Sequence, residues 1–395
     1  MNTLRLIQRS VELFDSDIDN HTVKLNSLVS ESSFLVLGGA GTIGKAVTKE
    51  IFKRNPIKLH VVDLSENNLV ELVRDLRSSY GYIKGDFQTF ALDIGSPEYD
   101  SYIKFDGKFD YVLNLSALKH VRSEKDPFTL MRMINVNIIN VEKTLNQSIA
   151  NGVRKYFCVS TDKATNPVNM MGASKRVMEL FMLRKSQDIS ISSARFANVA
   201  FSDGSLLHGF NQRLENKQPI VAPQDIKRYF ITPKESGELC LMSCLLGMNR
   251  DVFFPKLNKD LDLISFSDIA IKYLEQKGYE AYLCDSEKSA RENVENLIMD
   301  NKWPCLFSES NTSGEKDFEE FYSKNEILDL ELFNKVGVIK NKLVYDHNKL
   351  EGFMSEINQM MAKKHWTKNE ILNLLCELVP NFKHLEKGKY LDSKM

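Results

Sequence analysis

Between the short apolar run Ser33-Phe-Leu-Val-Leu37 and a helical pattern starting near Lys45 stands Gly38-Gly-Ala-Gly41-Thr-Ile-Gly44. The run is too short for a helix and ends in glycine, so it reads as a strand entering a turn. A glycine pattern alone is weak, but between strand and helix it is specific for a dinucleotide-binding βα unit. Gly38 permits the tight turn, Gly41 lets a pyrophosphate approach the backbone, and Gly44 allows close packing of the helix, whose free N–H groups face the phosphates. Thr42 and Ile43 complete the loop.

The alternation continues for about 160 residues. Strands are expected over 58–62, 89–93, 110–115, 155–160 and 189–196, and helices over 45–54, 66–77, 130–150 and 172–185. That rhythm implies an α/β fold, a doubly wound parallel sheet with helices on both faces. After residue 200 the rhythm breaks at Ser202-Asp-Gly-Ser205. The chain divides into a helical arm (1–30), a Rossmann domain (31–200), a smaller substrate lobe partly interleaved with the sheet (201–340) and a helical extension (341–395). Charge-rich helices are expected over 286–300, 316–332 and 349–380.

Composition excludes several classes. A formal net charge of -1 over 395 residues gives no argument for nucleic acid or an acidic membrane. The six cysteines, Cys158, Cys240, Cys244, Cys284, Cys305 and Cys376, form no CxxC pair and read as reduced, buried thiols, with no metal expected. No stretch approaches the apolar length of a membrane span, and the first residues lack a signal-peptide core. The expected location is the cytoplasm.

Asp63 ends the second predicted strand, where a carboxylate accepts the adenosine ribose hydroxyls and repels a 2′-phosphate, so NAD is favoured over NADP. Asp93 and Ile94 end the third strand near an expected adenine, although a turn role is equally open. Asn114, Ser116 and Ala117 end the fourth, at the carboxyl edge where such sheets bind ligands. The densest polar group lies at Ser160-Thr-Asp-Lys163, followed by a short loop and by Lys175 one turn into a helix. Charged residues beside a dinucleotide crevice point to chemistry.

Ser160-Thr-Asp-Lys-Ala164, Asn166-Pro and Met171-Gly-Ala-Ser-Lys175 resemble the CapD-like polysaccharide-biosynthesis family of nucleotide-sugar 4,6-dehydratases, extended short-chain dehydrogenases. Ala117-Leu-Lys-His120, Arg195-Phe-Ala-Asn-Val199, Arg228-Tyr-Phe, Phe254-Pro-Lys256 and Gly314-Glu-Lys316 extend the likeness over about residues 33–325. Asp63-Leu-Ser-Glu66 and Leu118 to Asp126 are similar to the enzymes of legionaminic-acid-type pathways. The resemblance implies oxidation of a hexose at C4 by tightly bound NAD, loss of water across C5–C6, and return of the hydride to C6. It assigns Thr161 to the C4 oxygen, Asp162 to protonation of the leaving C6 hydroxyl, Lys163 to the C5 proton, and Lys175 to the nicotinamide ribose. It places Lys119, His120, Asn198, Ser205, Arg228, Lys256 and Glu315 on the substrate side, and it implies a homo-oligomer.

One residue departs from the wider dehydrogenase pattern. Met171 stands one turn before Lys175, where those enzymes carry tyrosine, and methionine takes no proton. The base for the C4 hydroxyl is therefore open among Lys163, Asp162 and a water relayed through Thr161. The favoured expectation is a UDP-N-acetylglucosamine 4,6-dehydratase that retains C5 configuration and serves bacterial surface sugars. Inversion at C5, a GDP-linked substrate, 4-epimerisation and a silent NAD-binding scaffold are the alternatives.

Overall fold

The computed structural model describes residues 2–388 apart from 260, 261, 311 and 317. A nine-stranded sheet forms its centre. In chain order the strands are β1 (Ser33–Leu37), β2 (Lys58–Asp63), β3 (Asp86–Ala91), β4 (Tyr111–Asn114), β5 (Lys155–Thr161), β6 (Ser190–Phe196), β7 (Asp251–Pro255), β8 (Leu328–Asp329) and β9 (Val336–Lys340). Their order across the sheet is β8-β9-β7-β6-β5-β4-β1-β2-β3. The first seven strands pair in parallel, and β9 and β8 close one edge antiparallel. Leu37 is paired with Val62 on one side and Asn114 on the other. The winding direction reverses between β1 and β4, and a ligand crevice forms at that reversal beyond the carboxyl ends of the strands.

The apolar content of the strands explains their place. In β1, β4 and β5 nearly every residue is buried, as strands covered on both faces require. The helix Thr42–Phe52 packs Val47, Ile51 and Phe52 against this core. Strands β7 to β9 come from beyond residue 250, so the second half of the chain adds three strands to the sheet.

Three expected helices differ. The stretch 130–150 is split into Pro127–Ile134, a π-turn Asn135–Ile139 and Asn140–Ala150. The π-turn brings Asn137 inward, where its side chain accepts from the Leu118 N–H (2.9 Å) and donates to the Leu118 carbonyl and Ser174 Oγ (both 3.0 Å). Such bulges recur at functional sites, and this one fixes the exit of β4 just before Lys119 and His120. The stretch 286–300 breaks at Asn293 into two short helices. Among the described residues, 316–332 holds no helix, only β8; Glu319 is buried and Lys316 and Glu326 are partly buried, whereas Glu320, Lys324 and Glu331 stay exposed.

The lobe holds a three-stranded sheet (280–283, 302–308, 220–223) and the helices Leu206–Glu215 and Phe266–Gln276. Trp303 is buried there and donates to the Gln218 carbonyl at 2.9 Å. The N-terminal arm is two helices, Thr3–Leu6 and Asp15–Ser30. It is tied down by Arg9, which grips Glu235 at 2.5 and 2.7 Å. The C-terminal helices His347–Lys363 and Lys368–Leu378 bury Leu350, Phe353, Ile357, Ile371 and Leu375 against the helix Met170–Lys185. All six cysteines are free; five are buried as expected, whereas Cys376 is exposed on the last helix. Among the described residues no helix is long and apolar enough to cross a membrane.

Candidate active site

The glycine loop follows from close approach. Gly38 has φ 71°, and a Cβ there would lie 2.7 Å from the Ser116 nitrogen. A Cβ on Gly44 would lie 2.2 Å from the Gly38 carbonyl oxygen, so helix and loop touch only because both residues are glycine. Gly41 differs: the nearest atom to its Cβ position is 3.8 Å away, and its face opens onto a cavity. Asp63 braces the loop, accepting from the Ala40 N–H and the Ser65 N–H, each at 2.9 Å. Thr42 Oγ1 donates to Asp203 (3.0 Å) and accepts from its N–H (2.9 Å), which pins the lobe segment 202–205 over the loop.

The cavity between sheet and lobe has a volume of about 530 Å³. It brings together Gly38, Gly41, Thr42, Ile43, Gly44, Ala117, Lys119, His120, Thr161, Lys163, Met171, Lys175, Asn198 and Ser205. Strand β5 delivers a polar cluster at its carboxyl end. Thr161 Oγ1 donates to Asp162 at 2.9 Å and accepts from the Lys163 N–H at 3.3 Å. Lys163 Nζ reaches the same Asp162 oxygen at 3.2 Å and Asn198 Oδ1 at 3.5 Å. Asp162 is buried; burial and the nearby Glu319 charge push its carboxyl above the usual carboxylate range, although Lys163 opposes them. Lys175 donates to the Val159 carbonyl at 3.1 Å, and burial lowers its ammonium pKa. Met171 has no proton to exchange; its N–H donates to Glu124 at 3.1 Å, and Glu124 also meets His384 of the C-terminal tail at 3.1 Å.

On the lobe side, Lys119 reaches the Asp203 carbonyl at 2.8 Å. Burial lowers the pKa of Lys119 and of His120, whose neighbours Lys119 and Arg122 add to the effect. Ser205 caps the helix Leu206–Glu215 by accepting from the His208 N–H at 3.2 Å.

Other residues singled out in the sequence lie elsewhere. Asn114 is fully buried, donates to Tyr156 at 2.9 Å and accepts from the Ser116 N–H at 3.0 Å, so its side chain serves the core. Asp93 accepts from the Gly95 N–H at 2.8 Å, and Ile94 packs in an apolar cluster. Lys256 holds the Leu330 and Phe333 carbonyls, the latter at 2.7 Å, and ties β7 to the turn before β9. Glu315 is occupied by Ser310 and by Thr312 (2.7 Å) within its own loop. Arg228 is buried behind the site, with Nη1 on the Lys227 (2.8 Å) and Lys316 (3.0 Å) carbonyls.

Sequence reasoning missed Glu319, Lys316, Glu124 and Asp203. Glu319 is buried 3.9 Å from Lys163 Nζ and 3.3 Å from Lys316 Nζ. Only the charge richness of 316–332 hinted at it.

The crevice fits a dinucleotide. Gly41 leaves open the space a side chain would fill, the helix from Thr42 presents free N–H groups there, and Lys175 supplies a cation beside β5. A family model described as polysaccharide biosynthesis protein matches residues 34–340. An uncharacterised membrane protein of Methanocaldococcus jannaschii is 28% identical, over 82% of this chain and 92% of its own. The capsular polysaccharide biosynthesis protein CapD of Staphylococcus aureus is 26% identical over 85% of this chain but only 52% of its own, so the chain spans about half of that relative. A UDP-glucose 4-epimerase of Rickettsia bellii is 29% identical over 67% of this chain and 82% of its own. Among solved structures, Pen from Bacillus thuringiensis matches 80% of this chain and 89% of its own with TM-score 0.61 and 21% identity. The dTDP-glucose 4,6-dehydratase DesIV of Streptomyces venezuelae, solved with NAD bound, matches 74% of this chain and 88% of its own with TM-score 0.55 and 14% identity.

Proposed function

The chain belongs to the polysaccharide biosynthesis protein family, and from that premise we propose that it is an NAD-dependent nucleotide-sugar 4,6-dehydratase. The proposed substrate is UDP-N-acetylglucosamine, with C5 configuration retained. The observation that carries the reading is Thr161 and Lys163 at the carboxyl end of β5, on the wall of a cavity that also holds the glycine loop and Lys175, with buried Asp162 bonded to both.

When bound, NAD supplies the hydride acceptor for C4 and the donor for C6. The loop Gly38–Gly44 and the helix behind it hold the pyrophosphate, and Lys175 the nicotinamide ribose. Asp63 uses one oxygen on the Ala40 N–H of that loop and the other on the Ser65 N–H, which leaves lone pairs for the adenosine ribose. Thr161 receives the C4 hydroxyl and passes its proton to Asp162, to which it is already bonded. This route takes over from the tyrosine that Met171 replaces. Lys163, as the free amine, removes the C5 proton made acidic by the C4 ketone. Asp162 returns its proton to the C6 oxygen as the C6–O bond breaks and water leaves. Lys163 then gives its proton back to C5. Lys119, His120, Asn198 and Ser205 line the side from which the sugar diphosphate enters.

The similarity to 4-epimerases offers a second reading. Epimerisation needs redox chemistry at C4 alone and leaves the Asp162–Lys163 pair without a task, which favours elimination. Mass spectrometry separates the two. A dehydratase makes a nucleotide sugar lighter by one water with no added reductant, whereas an epimerase product keeps the substrate mass and would overturn the dehydratase reading.

A further inference from the structure

We propose that Glu319 is a positioning residue whose buried negative charge, held beside the Asp162–Lys163 pair, sets the proton affinity of Asp162. The proposal rests on the dehydratase reading for what the pair does, but not for the coupling itself.

The segment 318–327 meets the loop after β5 at Phe321, whose carbonyl accepts from Thr165 Oγ1 (3.2 Å) and Arg195 Nη1 (2.9 Å). It carries Glu319 to a site that is 3% exposed. One carboxylate oxygen lies 3.9 Å from Lys163 Nζ and the other 3.3 Å from Lys316 Nζ. The Lys316 ammonium also bonds the Thr165 carbonyl at 2.9 Å, which anchors the segment to the catalytic loop. Asp162 shares Lys163 with Glu319 from the opposite side at 3.2 Å. Among the described residues, the charged groups facing this cluster are Lys163 and Asp162 from the catalytic loop, Arg228 from the strand at 227–228, and Lys316 from just before the segment.

Burial raises the carboxyl of Glu319, but Lys163, Lys316 and Arg228 outweigh it and keep the group below its ordinary value. Asp162 moves the other way, raised by burial and then by Glu319. Two carboxyls whose surroundings drive them apart take different roles. Glu319 stays ionised, and Asp162 can hold a proton and give it up.

The sign of the test is fixed. A buried charge at this range moves a neighbour's pKa by about 1 unit or more. Glu319→Gln removes a negative charge beside Asp162, so its carboxyl falls. The limb of the pH profile of turnover that reports Asp162 therefore moves toward acid by about 1 pH unit, while Glu319→Asp, which keeps the charge, stays close to the native profile. A residue that merely filled space would lower turnover without moving that limb. Independently of turnover, Asp162 is titrated by carbon-13 NMR in protein labelled at the aspartate carboxyl carbon, with Asp162→Asn identifying its signal. A midpoint lowered by about 1 unit in Glu319→Gln supports the proposal, and an unmoved midpoint overturns it. Should Glu319→Gln fail to fold, Glu319→Ala serves with the same sign: loss of the carboxylate lowers the Asp162 midpoint, and no change sinks the idea. If the wild type dehydrates no nucleotide sugar, the dehydratase reading falls while the NMR titration still decides the role of Glu319.

Discussion

Gly41 and Gly44 lie one turn apart in the same loop, yet alanine at the two positions should fail for different reasons. At Gly44 the new Cβ would meet the Gly38 carbonyl oxygen at 2.2 Å and the Gly39 backbone at 2.6 Å. Backbone atoms on both sides cannot yield without moving β1 away from the helix, a cost of about 1–3 kcal/mol or more. At Gly41 the Cβ would meet only one atom, at 3.8 Å, and φ is -73°, which alanine adopts freely. Alanine there gains about 0.4–1 kcal/mol by restricting the unfolded chain. It loses about 0.5–1 kcal/mol as a poorer helix N-cap, so stability stays nearly level. The methyl group, however, fills the space open to the pyrophosphate. Losing one charge-assisted hydrogen bond there costs about 1.5–3 kcal/mol, roughly a 10- to 150-fold weaker Kd for NAD. Calorimetric titration with NAD, paired with thermal melting, reads both effects. Gly41→Ala should melt like the wild type and bind NAD poorly; Gly44→Ala should lose both. A Gly41→Ala protein that binds NAD with unchanged affinity would refute the placement of the cofactor.

Three further outcomes follow from the geometry. Asp162→Asn should lower dehydration by about 100-fold or more while NAD affinity holds, and native turnover in that variant would remove Asp162 from the acid role. Asp63→Ala removes its bonds to the Ala40 N–H of the glycine loop and to the Ser65 N–H; NAD should bind about 10-fold more weakly, and an unchanged Kd would take the ribose contact from Asp63. Leu375 is fully buried against the helix that carries Met171 and Lys175. Leu375→Ala should cost about 2–5 kcal/mol in denaturant unfolding, and a smaller loss would mean the C-terminal helices are only loosely docked.

How much was legible depended on the range of the information. The glycine loop and Thr161-Asp162-Lys163 are short, contiguous patterns whose neighbours in sequence are their neighbours in space, and the fold around them reads from strand–helix alternation. Asn114 shows where this stops. The end of a strand places a residue at the crevice, but not on which face its side chain falls, and here the face is the core beside Tyr156. Lys256 and Glu315 sit in motif-like stretches yet spend their polar atoms on nearby backbone and hydroxyls, a choice that only the folded loops reveal. Glu319 was illegible for the converse reason. Its charge-rich stretch resembles a solvated helix, and the long-range pairing with Lys163 overrides that local preference. The π-turn at Asn135–Ile139 likewise exists because Asn137 bonds Leu118, far from it in sequence.

The most direct test is proton NMR of UDP-N-acetylglucosamine incubated with the purified protein in deuterated water. The account predicts a 6-deoxy methyl signal, one deuterium at C5 and the original configuration there, with no reductant added. An altered sugar that keeps its C6 hydroxymethyl group, or a substrate left unchanged by protein that binds NAD, would contradict it.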